Sequence, residues 1–374
     1  MSYVDAFFDR EKDAIYTVER TRKKREFKTY PAKYIFYYPD VKGKYRSIFG
    51  SPLTRISTTS GKTFRLEKKI HSDKQLFESD INPVFRCLEE NYLGKEAPNL
   101  NKCFFDIEVD FNSDKRFADP MDPFSMINSI TLWCSWIEEL ITLTIRPKTI
   151  TREEAEVICD KFSNTLLFNT EEELLDDFLL LIEDADILSG WNSEGYDIPY
   201  TVNRVARILG KQRMRDFCLW DQYPRKREFE KYGRELETYD LIGRVHLDYL
   251  ELYRKYTYHE MHSYRLDAVG EYEIGEGKIP YEGTLDQLYN NDYEKFIAYN
   301  RQDTMMLKKM DDKLQFIDLA NVLAHANTVL LQTTMGAVVV SDQAIINEAH
   351  SKGLQVPDKK KNKDEEFDTA AGAY

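Results

Sequence analysis

The chain has 374 residues, of which 42% are hydrophobic and 13% aromatic, and it carries a formal net charge of −13. This length and apolar content predict a folded protein with two or more domains. The negative charge argues against a protein that binds nucleic acid over its whole surface, because phosphate contacts require lysine and arginine. Any attraction for nucleic acid must therefore come from a local cleft.

The patterns of cysteine, histidine and apolar residues argue against a disulfide-rich, zinc-binding, secreted or membrane-spanning protein. The five cysteines are widely spaced without a C-x-x-C pair, which predicts reduced thiols and no disulfide framework. The close pair His259 and His262 has no third ligand nearby in the sequence, which argues against a zinc site. The N-terminus has no signal-peptide pattern, and no apolar stretch reaches the roughly 18 residues of a membrane span. We therefore expect a soluble cytoplasmic protein without a membrane partner.

Residues 1–100 have the pattern of a small α+β domain. The β-like runs YIFYYPD and YRSIFG flank a hairpin-like VKGK turn, and the segment PVFRCLEENY predicts an amphipathic helix. A basic run lies between Arg20 and Lys28. Such a run can contact nucleic acid, although it is more often a solvated face.

The segment KCFFDIEVD places two carboxylates in a run of aromatic and β-branched residues, which predicts a buried strand. Asp106 and Glu108 are two residues apart, so both side chains lie on one strand face. Burying two unpaired carboxylates costs several kcal/mol. Hard divalent cations such as Mg²⁺ or Mn²⁺ would remove that cost. The alternative is an edge strand that exposes both carboxylates to solvent.

The next segments predict a hairpin and a capped helix. SITLWCSWIEELITLTI has the pattern of two strands joined by a turn. A helix is predicted to begin at Thr170, because Glu173 three residues later completes a capping box. Strands followed by helices in this way indicate an α/β arrangement, a mixed sheet flanked by helices, over residues 101–330.

A second acidic segment, SGWNSEGYDIPY, follows a strand-like run. Pro199 begins a helical pattern that Gly210 ends, so Asp197 is predicted at a helix N-terminus. In that place it could be a helix cap or a first-turn anion. Its interpretation as a metal ligand depends on its combination with Asp106 and Glu108.

The segment RKREFEKYGRELETYDL predicts two charged strands around a turn at Lys231, Tyr232, Gly233 and Arg234. Because the segment has few apolar side chains, we expect this hairpin to project into solvent.

A third acidic segment, AYNRQDTMM, lies in a predicted helix. Tyr299 and Asp303 are four residues apart and therefore lie on one helix face. The phenol could orient a water molecule that a metal ion activates, while the carboxylate holds that ion. The alternative is a helix that packs its tyrosine and leaves its aspartate in water.

Together these segments have the order D-x-E, N-x-x-x-Y-D and Y-x-x-x-D. With them the chain resembles the proofreading 3′→5′ exonuclease part of family B DNA polymerases, above all those of T-even-type bacteriophages, including cyanophages. FESDINPVFRCLEENY and SYRLDAVGEYEIGEGKIPYEG share the resemblance. Carried over by motif, the resemblance implies that four carboxylates bind two metal ions and that Tyr299 orients the water. The implied metal ligands are Asp106, Glu108, Asp197 and Asp303.

The resemblance also implies an RNase H-like (DnaQ-like) nuclease fold for residues 101–330, an activity and partners. We expect the removal of mispaired 3′-terminal nucleotides from single-stranded 3′ ends and primer–template DNA, with two Mg²⁺ or Mn²⁺ ions. Residues from about 331 to 374 would complete the N-terminal domain, which in the family is associated with RNA and template contacts. The expected DNA contacts are Phe117, Asn192, Lys231, Tyr232, Gly233, Arg234 and Lys278. For the hairpin turn, mere solvation is the alternative to a DNA contact. For Phe117 and Lys278, ordinary structural roles are the alternative to base stacking and phosphate pairing.

Polymerase motifs such as SLYPS and Y-x-D-T-D-S do not occur in the sequence. We therefore expect no DNA synthesis by this chain alone, and an interface for a separately encoded or missing palm, fingers and thumb. A split gene or a truncation would explain this, with action in the host cytoplasm during phage infection. Two other functions stay open: a nucleic-acid-binding or regulatory module with incidental nuclease activity, and a free-standing repair or RNA-degrading nuclease.

Overall fold

The structure is a computed structural model that describes residues 2–21, 24–110, 118–231 and 233–359. Its strands are β1 (Ser2–Asp9), β2 (Ala14–Arg20), β3 (Arg25–Pro31), β4 (Tyr34–Pro39), β5 (Tyr45–Ser47), β6 (Pro52–Thr58), β7 (Lys102–Val109), β8 (Ile127–Cys134), β9 (Glu139–Ile145), β10 (Thr165–Phe168), β11 (Ile187–Ser189), β12 (Arg225–Lys231), β13 (Arg234–Asp240), β14 (Val245–His246) and β15 (Leu354–Gln355). Its α-helices are α1 (Gly61–Ile70), α2 (Pro83–Tyr92), α3 (Arg152–Cys159), α4 (Glu171–Leu181), α5 (Asp197–Ile208), α6 (Tyr249–Tyr256), α7 (Leu266–Ile274), α8 (Leu285–Asn291), α9 (Tyr293–Leu314), α10 (Phe316–Asn327) and α11 (Ala337–Ser351). Within the described ranges, none of the helices has both the length and the apolar character needed to span a lipid bilayer.

The chain divides into two compact units, Met1–Asn99 with Leu319–Tyr374 and, separately, Leu100–Asp318. The first unit contains the antiparallel sheet β1-β2-β3 and the sheet β15-β5-β6-β4. Because β15 pairs in parallel with β5, a strand from late in the chain completes a sheet formed by N-terminal residues. Helix α2 packs Leu88 and Tyr92 into the core of this unit.

The first unit confirms the predicted helix and corrects the predicted hairpin. Helix α2 begins after Asn82, whose side chain accepts a hydrogen bond from the backbone of Val84. Strands β4 and β5 do not form a hairpin with each other, because β6 lies between them and pairs with both. Gly43 of the VKGK segment approaches β6 so closely that a Cβ atom there would meet backbone atoms of Leu53 at 2.3 Å. The segment forms a tight turn, in which the N–H of Gly43 donates a 2.8 Å hydrogen bond to the carbonyl oxygen of Asp40, but this turn does not join two paired strands.

The basic run of the first unit is largely neutralised where the structure describes it. Arg20 is 4% exposed, Lys28 Nζ lies 2.7 Å from Glu19, and Lys24 Nζ lies 3.4 Å from Glu26. Within this run, Arg22 and Lys23 lie outside the described residues. These contacts do not favour a free basic face at Arg20, Lys24 and Lys28.

The second unit is organised by a six-stranded sheet with the order β10-β9-β8-β7-β11-β14. Strand β8 is antiparallel to both β7 and β9, and the other pairs are parallel. Phe105 of β7 packs against Phe178 of α4. The preceding residue, Phe104, packs against Tyr249 of α6. Because neighbouring strand residues point to opposite faces, helices cover both faces. This confirms the predicted mixed sheet flanked by helices.

Local predictions in the second unit are also confirmed. Strands β8 and β9 form the expected antiparallel hairpin. Helix α4 begins after Thr170 with a complete capping box to Glu173. The cysteines of this unit, Cys103, Cys134, Cys159 and Cys218, are free and buried, as is Cys87 of the first unit.

The charged segment forms the predicted hairpin, in which β12 and β13 pair from Arg225 with Asp240 to the turn. The expectation that it projects entirely into solvent is wrong at its base. Tyr239 is 8% exposed, and its hydroxyl donates a 2.7 Å hydrogen bond to Asn203 of α5. The strand ends that carry this tyrosine are therefore anchored on the unit.

In the first unit, His350 of α11 lies between two glutamates. Its Nδ1 is 2.5 Å from an oxygen of Glu89, and its Nε2 is 2.9 Å from an oxygen of Glu78. Arg86 also donates a hydrogen bond to Glu78, at 3.2 Å. Burial opposes protonation of the imidazole, but the hydrogen bonds and charges of the two glutamates outweigh burial and raise the pKa of His350 to about 9.

This network predicts a pH-dependent component of stability. The folded-state pKa of about 9 lies above the value of roughly 6.5 for an unfolded histidine, so the stabilisation is complete below pH ~6.5 and is lost as the pH rises through the folded-state pKa. We expect the free energy of unfolding, measured with urea, to fall more steeply between pH ~7 and ~9.5 in the wild type than in His350→Gln. His262→Gln, at an exposed histidine, is the control. Equal slopes in all three proteins would contradict the assignment.

Candidate active site

Strand β7 presents Asp106 and Glu108 on one face of the sheet. It lies between β8 and β11, and Glu108 is only 8% exposed. The alternative of a solvent-facing edge strand is therefore wrong. Across the pair with β8, Asp106 lies opposite Thr131, and Glu108 lies opposite Ser129.

Helix α9 brings Tyr299 and Asp303 to the same face. Their exposed fractions are 7% and 1%, so the alternative of a water-exposed aspartate is also wrong. One carboxylate oxygen from each of Asp106, Glu108 and Asp303 lies within 4.8 Å of the others. The structure thus gathers three of the four predicted ligands into one group that could hold a metal ion.

Asp197 is the first residue of α5, at the predicted helix N-terminus, and Tyr196 takes the N-cap position. It is 5% exposed, and its Oδ1 accepts a hydrogen bond of 3.4 Å from the backbone N–H of Ile107. Because Ile107 separates Asp106 from Glu108 on β7, the carboxylate of Asp197 lies beside the three-carboxylate group.

Two sets of contacts hold α5 and the turn before it. Arg204 donates to both oxygens of Glu171 on α4, at 2.7 and 2.5 Å. Asp248 accepts the backbone N–H groups of Asn192 and Glu194, at 3.0 and 3.1 Å, in the turn that precedes α5. The sequence analysis missed these supporting residues. For Asp248 the available signal was its place as the N-cap of α6.

Burial and mutual repulsion shift the carboxyl groups of the cluster. Burial, aided by the charge of Asp303, raises the pKa of Glu108 to about 8. Burial raises the pKa of Asp197 to about 7. The pKa of Asp106 is raised by burial and then by the charges of Glu108, Asp197 and Asp303. Charged carboxylates are therefore unfavourable here unless a cation accompanies them.

Lys278 brings one positive charge to this cluster. Its Nζ hydrogen-bonds the carboxylate of Asp303 and donates to the hydroxyl of Tyr299 at 2.9 Å. Burial nevertheless outweighs the lysine charge, so the pKa of Asp303 is raised. The sequence suggested Lys278 only as a DNA contact, because its spacing from Tyr299 and Asp303 gives no sign that the three side chains meet.

The donor set of the cluster fits a hard divalent cation. Carboxylate oxygens are the ligands that Mg²⁺ and Mn²⁺ prefer, and such ions need only one or two of them each. The Oδ1 atom of Asp303 is buried and has no hydrogen-bond partner within the described part of the chain. A buried carboxylate oxygen without a partner is unfavourable, and a bound cation would satisfy it.

The other predicted DNA contacts are placed only in part. Asn192 has a left-handed backbone conformation, with φ of +59°, in the turn before α5. Arg227 of β12 hydrogen-bonds Glu194 and thereby ties the hairpin to that turn. Gly233, with φ of +70°, lies at the hairpin turn. Phe117, Tyr232 and the side chains of Lys231 and Arg234 lie outside the described residues.

Comparison with known families identifies the class of protein to which this fold and site belong. The family described as DNA polymerase family B, exonuclease domain, matches residues 47–269. The match covers more than half of the chain, so the chain belongs to this family. It includes Asp106, Glu108 and Asp197 and ends before the helix that carries Tyr299 and Asp303.

Individual relatives agree with this family. The chain is 26% identical over 362 residues to the DNA-directed DNA polymerase of Enterobacteria phage T4, covering 91% of this chain and 39% of that protein. It is 28% identical over 339 residues to the DNA-directed DNA polymerase of Escherichia phage RB69, covering 84% of this chain and 37% of that protein. The chain thus spans about two fifths of the length of these curated relatives. The resemblance drawn from the motifs is confirmed.

Repulsion between the carboxylates predicts how their replacement by neutral amides changes the unfolding temperature. We expect Asp106→Asn with Glu108→Gln to unfold in chelator, at pH ~8, at a temperature equal to or above that of the wild type, because repulsion is relieved. Mn²⁺ should raise the unfolding temperature of the wild type and leave that of the double variant unchanged. Differential scanning calorimetry measures both. Glu172→Gln, at an exposed carboxylate, is the control, and an equal Mn²⁺ shift in all three proteins would refute the cluster as the metal site.

Proposed function

We propose that the chain is a divalent-metal-dependent 3′→5′ DNA exonuclease, the proofreading portion of a family B DNA polymerase. The grouping of Asp106, Glu108 and Asp303 within 4.8 Å carries the proposal. Family membership supports it, as does the strand order β9-β8-β7-β11-β14, which we assign to the RNase H-like arrangement. On this proposal, Leu100–Asp318 is the exonuclease domain.

The carboxylates that would hold Mg²⁺ or Mn²⁺ are Asp106, Glu108, Asp197 and Asp303, and such ions supply activation of water and charge stabilisation for in-line phosphodiester cleavage. Tyr299 orients the attacking water through its hydroxyl. That hydroxyl accepts the 2.9 Å hydrogen bond from Lys278. The ring of Tyr299 packs edge-on against Tyr281, with 5.3 Å between the ring centroids. The phenol is therefore held in place before substrate arrives, which favours one orientation of the reacting groups.

Substrate recognition is assigned to the residues around this cluster. The side chain of Lys278 is 32% exposed, and its ammonium is proposed to contact a phosphate oxygen. Asn192 and the β12–β13 hairpin, which Arg227 ties to the same turn, are proposed to contact the single-stranded 3′ end. Phe117 and the hairpin turn remain candidates for base stacking and phosphate pairing.

The relatives named as DNA polymerases suggest the context of this activity. We propose that the chain acts on mispaired primer ends together with a polymerase portion. We further propose that the unit containing Met1–Asn99 contacts the template strand or RNA.

Cleavage of a labelled oligonucleotide tests the proposed activity. The purified chain, incubated with 5′-labelled single-stranded DNA and Mg²⁺ or Mn²⁺, should produce a ladder that shortens from the 3′ end. Chelator should abolish the ladder, and so should Asp106→Ala with Glu108→Ala, because both remove the metal. A ladder of wild-type strength from a folded double variant would sink the site assignment, and the absence of any ladder from the folded wild type would refute the proposed function.

Tyr299→Phe separates orientation of water from metal binding. The variant keeps the ring and loses the hydroxyl, so we expect the cleavage rate to fall by about 100-fold or less, with unchanged Mn²⁺ binding. Tyr223→Phe, at a tyrosine that is 41% exposed, controls for the loss of a phenol elsewhere. Rates from single-turnover assays give the comparison. A loss as complete as that of the double carboxylate variant would mean that Tyr299 does more than orient water.

A further inference from the structure

Asn300, the residue after Tyr299, connects α9 to the central strands of the sheet through its amide. Its Nδ2 donates a 2.9 Å hydrogen bond to Oδ2 of Asp106. Its Oδ1 accepts hydrogen bonds from the hydroxyls of Ser129 and Thr131, at 2.9 and 2.6 Å. Asn300, Ser129 and Thr131 are each 0% exposed. The amide is thus enclosed, with both of its ends in use.

These partners define which way the amide points. A carboxylate has only acceptor atoms for an amide to meet, whereas a hydroxyl can donate. The nitrogen of Asn300 therefore faces Asp106, and the oxygen faces the two hydroxyls. The reversed amide would place its oxygen against the carboxylate oxygen, and repulsion disfavours that arrangement.

The hydrogen bonds continue away from Asp106 in one direction. Arg301 donates from NH1 to the hydroxyl oxygen of Thr142 at 3.1 Å, and the hydroxyls of Thr142 and Thr131 lie 3.1 Å apart. A guanidinium has donors only, so the proton of Thr142 is free to point to Thr131, and the proton of Thr131 points to Asn300. The sequence of donors, which we name the Arg301 relay, runs from Arg301 through Thr142, Thr131 and Asn300 to Asp106. Hydrogen bonds aligned in this way polarise one another.

We propose that Asn300 is the positioning residue of the metal site, which holds the carboxylate of Asp106 in one orientation for the divalent cation. This inference rests on the proposed function. The charges of Glu108 and Asp303 repel Asp106, and an unrestrained carboxylate would rotate away from them. Asn300 opposes that rotation by holding Oδ2, and the Arg301 relay directs its N–H group toward that oxygen.

Three variants separate this role from a general packing role. Asn300→Leu has a similar size and removes both hydrogen-bonding ends of the amide. Thr142→Val keeps the shape of the side chain and interrupts the Arg301 relay at a distance from Asp106. Thr304→Val is the matched control, because Thr304 is 0% exposed on the same helix and its hydroxyl, among the described residues, bonds only the backbone oxygens of Thr131 and Asn300.

Mn²⁺ binding measured by isothermal titration calorimetry tests the proposal without relying on activity. We expect Asn300→Leu to weaken binding by about 10- to 100-fold, as loss of an outer partner of a metal ligand does. Thr142→Val should weaken binding by a smaller factor, and Thr304→Val should bind as the wild type does. The Mn²⁺ concentration for half-maximal cleavage should rise by the same factors. Thermal unfolding in chelator confirms that each variant is folded, and Thr142→Val carries the test if Asn300→Leu does not fold.

The outcomes distinguish this inference from the proposed function. A wild-type chain that neither binds Mn²⁺ nor cleaves DNA overturns both. A wild-type chain that does both, while folded Asn300→Leu or Thr142→Val binds Mn²⁺ equally well, overturns only the role of Asn300 and the Arg301 relay. Equal weakening by Thr304→Val would show that any disturbance of α9 has the same effect, and that result also overturns the proposal.

Discussion

Mutual repulsion between closely grouped carboxylates is the constraint around which the second unit is built. Asp106, Glu108 and Asp303 lie within 4.8 Å of one another, and Asp197 lies beside them against the backbone of β7. Bringing such groups out of water and together costs several kcal/mol in the absence of a cation. Without a cation, this grouping lowers the free energy of unfolding of the unit, so other contacts in the unit must offset that loss.

The compensation comes from the elements that carry the carboxylates. The position of β7 inside the sheet fixes Asp106 and Glu108. The ion pair of Arg204 with Glu171 fixes α5, the helix that carries Asp197. Lys278 partly neutralises Asp303, and Asn300 holds Asp106. Each support comes from a different segment, so the site forms only when the whole unit has folded. This arrangement holds the carboxylates together and offsets part of their repulsion.

Local sequence patterns were enough to predict the helices and strands, but they do not predict contacts between residues far apart in the chain. The two-residue spacing of β7, the capping box at Thr170 and the four-residue spacing in α9 depend on neighbouring residues, so the sequence shows them. The contacts of Lys278 with Asp303 and of Asn300 with Asp106 join residues 25 and 194 positions apart. No periodicity encodes such pairs. The expected β4–β5 hairpin failed for the same reason, because β6 competes successfully for both strands.

The central claim is that the carboxylates of β7 and α9 form a divalent-metal site, and anomalous X-ray diffraction from crystals of the chain grown with Mn²⁺ tests it most directly. The account predicts anomalous difference peaks among Asp106, Glu108 and Asp303, with Asp197 close enough to contribute. In the Asp106→Asn, Glu108→Gln variant these peaks should disappear. The account would be contradicted if Mn²⁺ bound at full occupancy at another place in the chain and not at the cluster. It would also be contradicted if the cluster showed no peak while Lys278 kept its contact with Asp303.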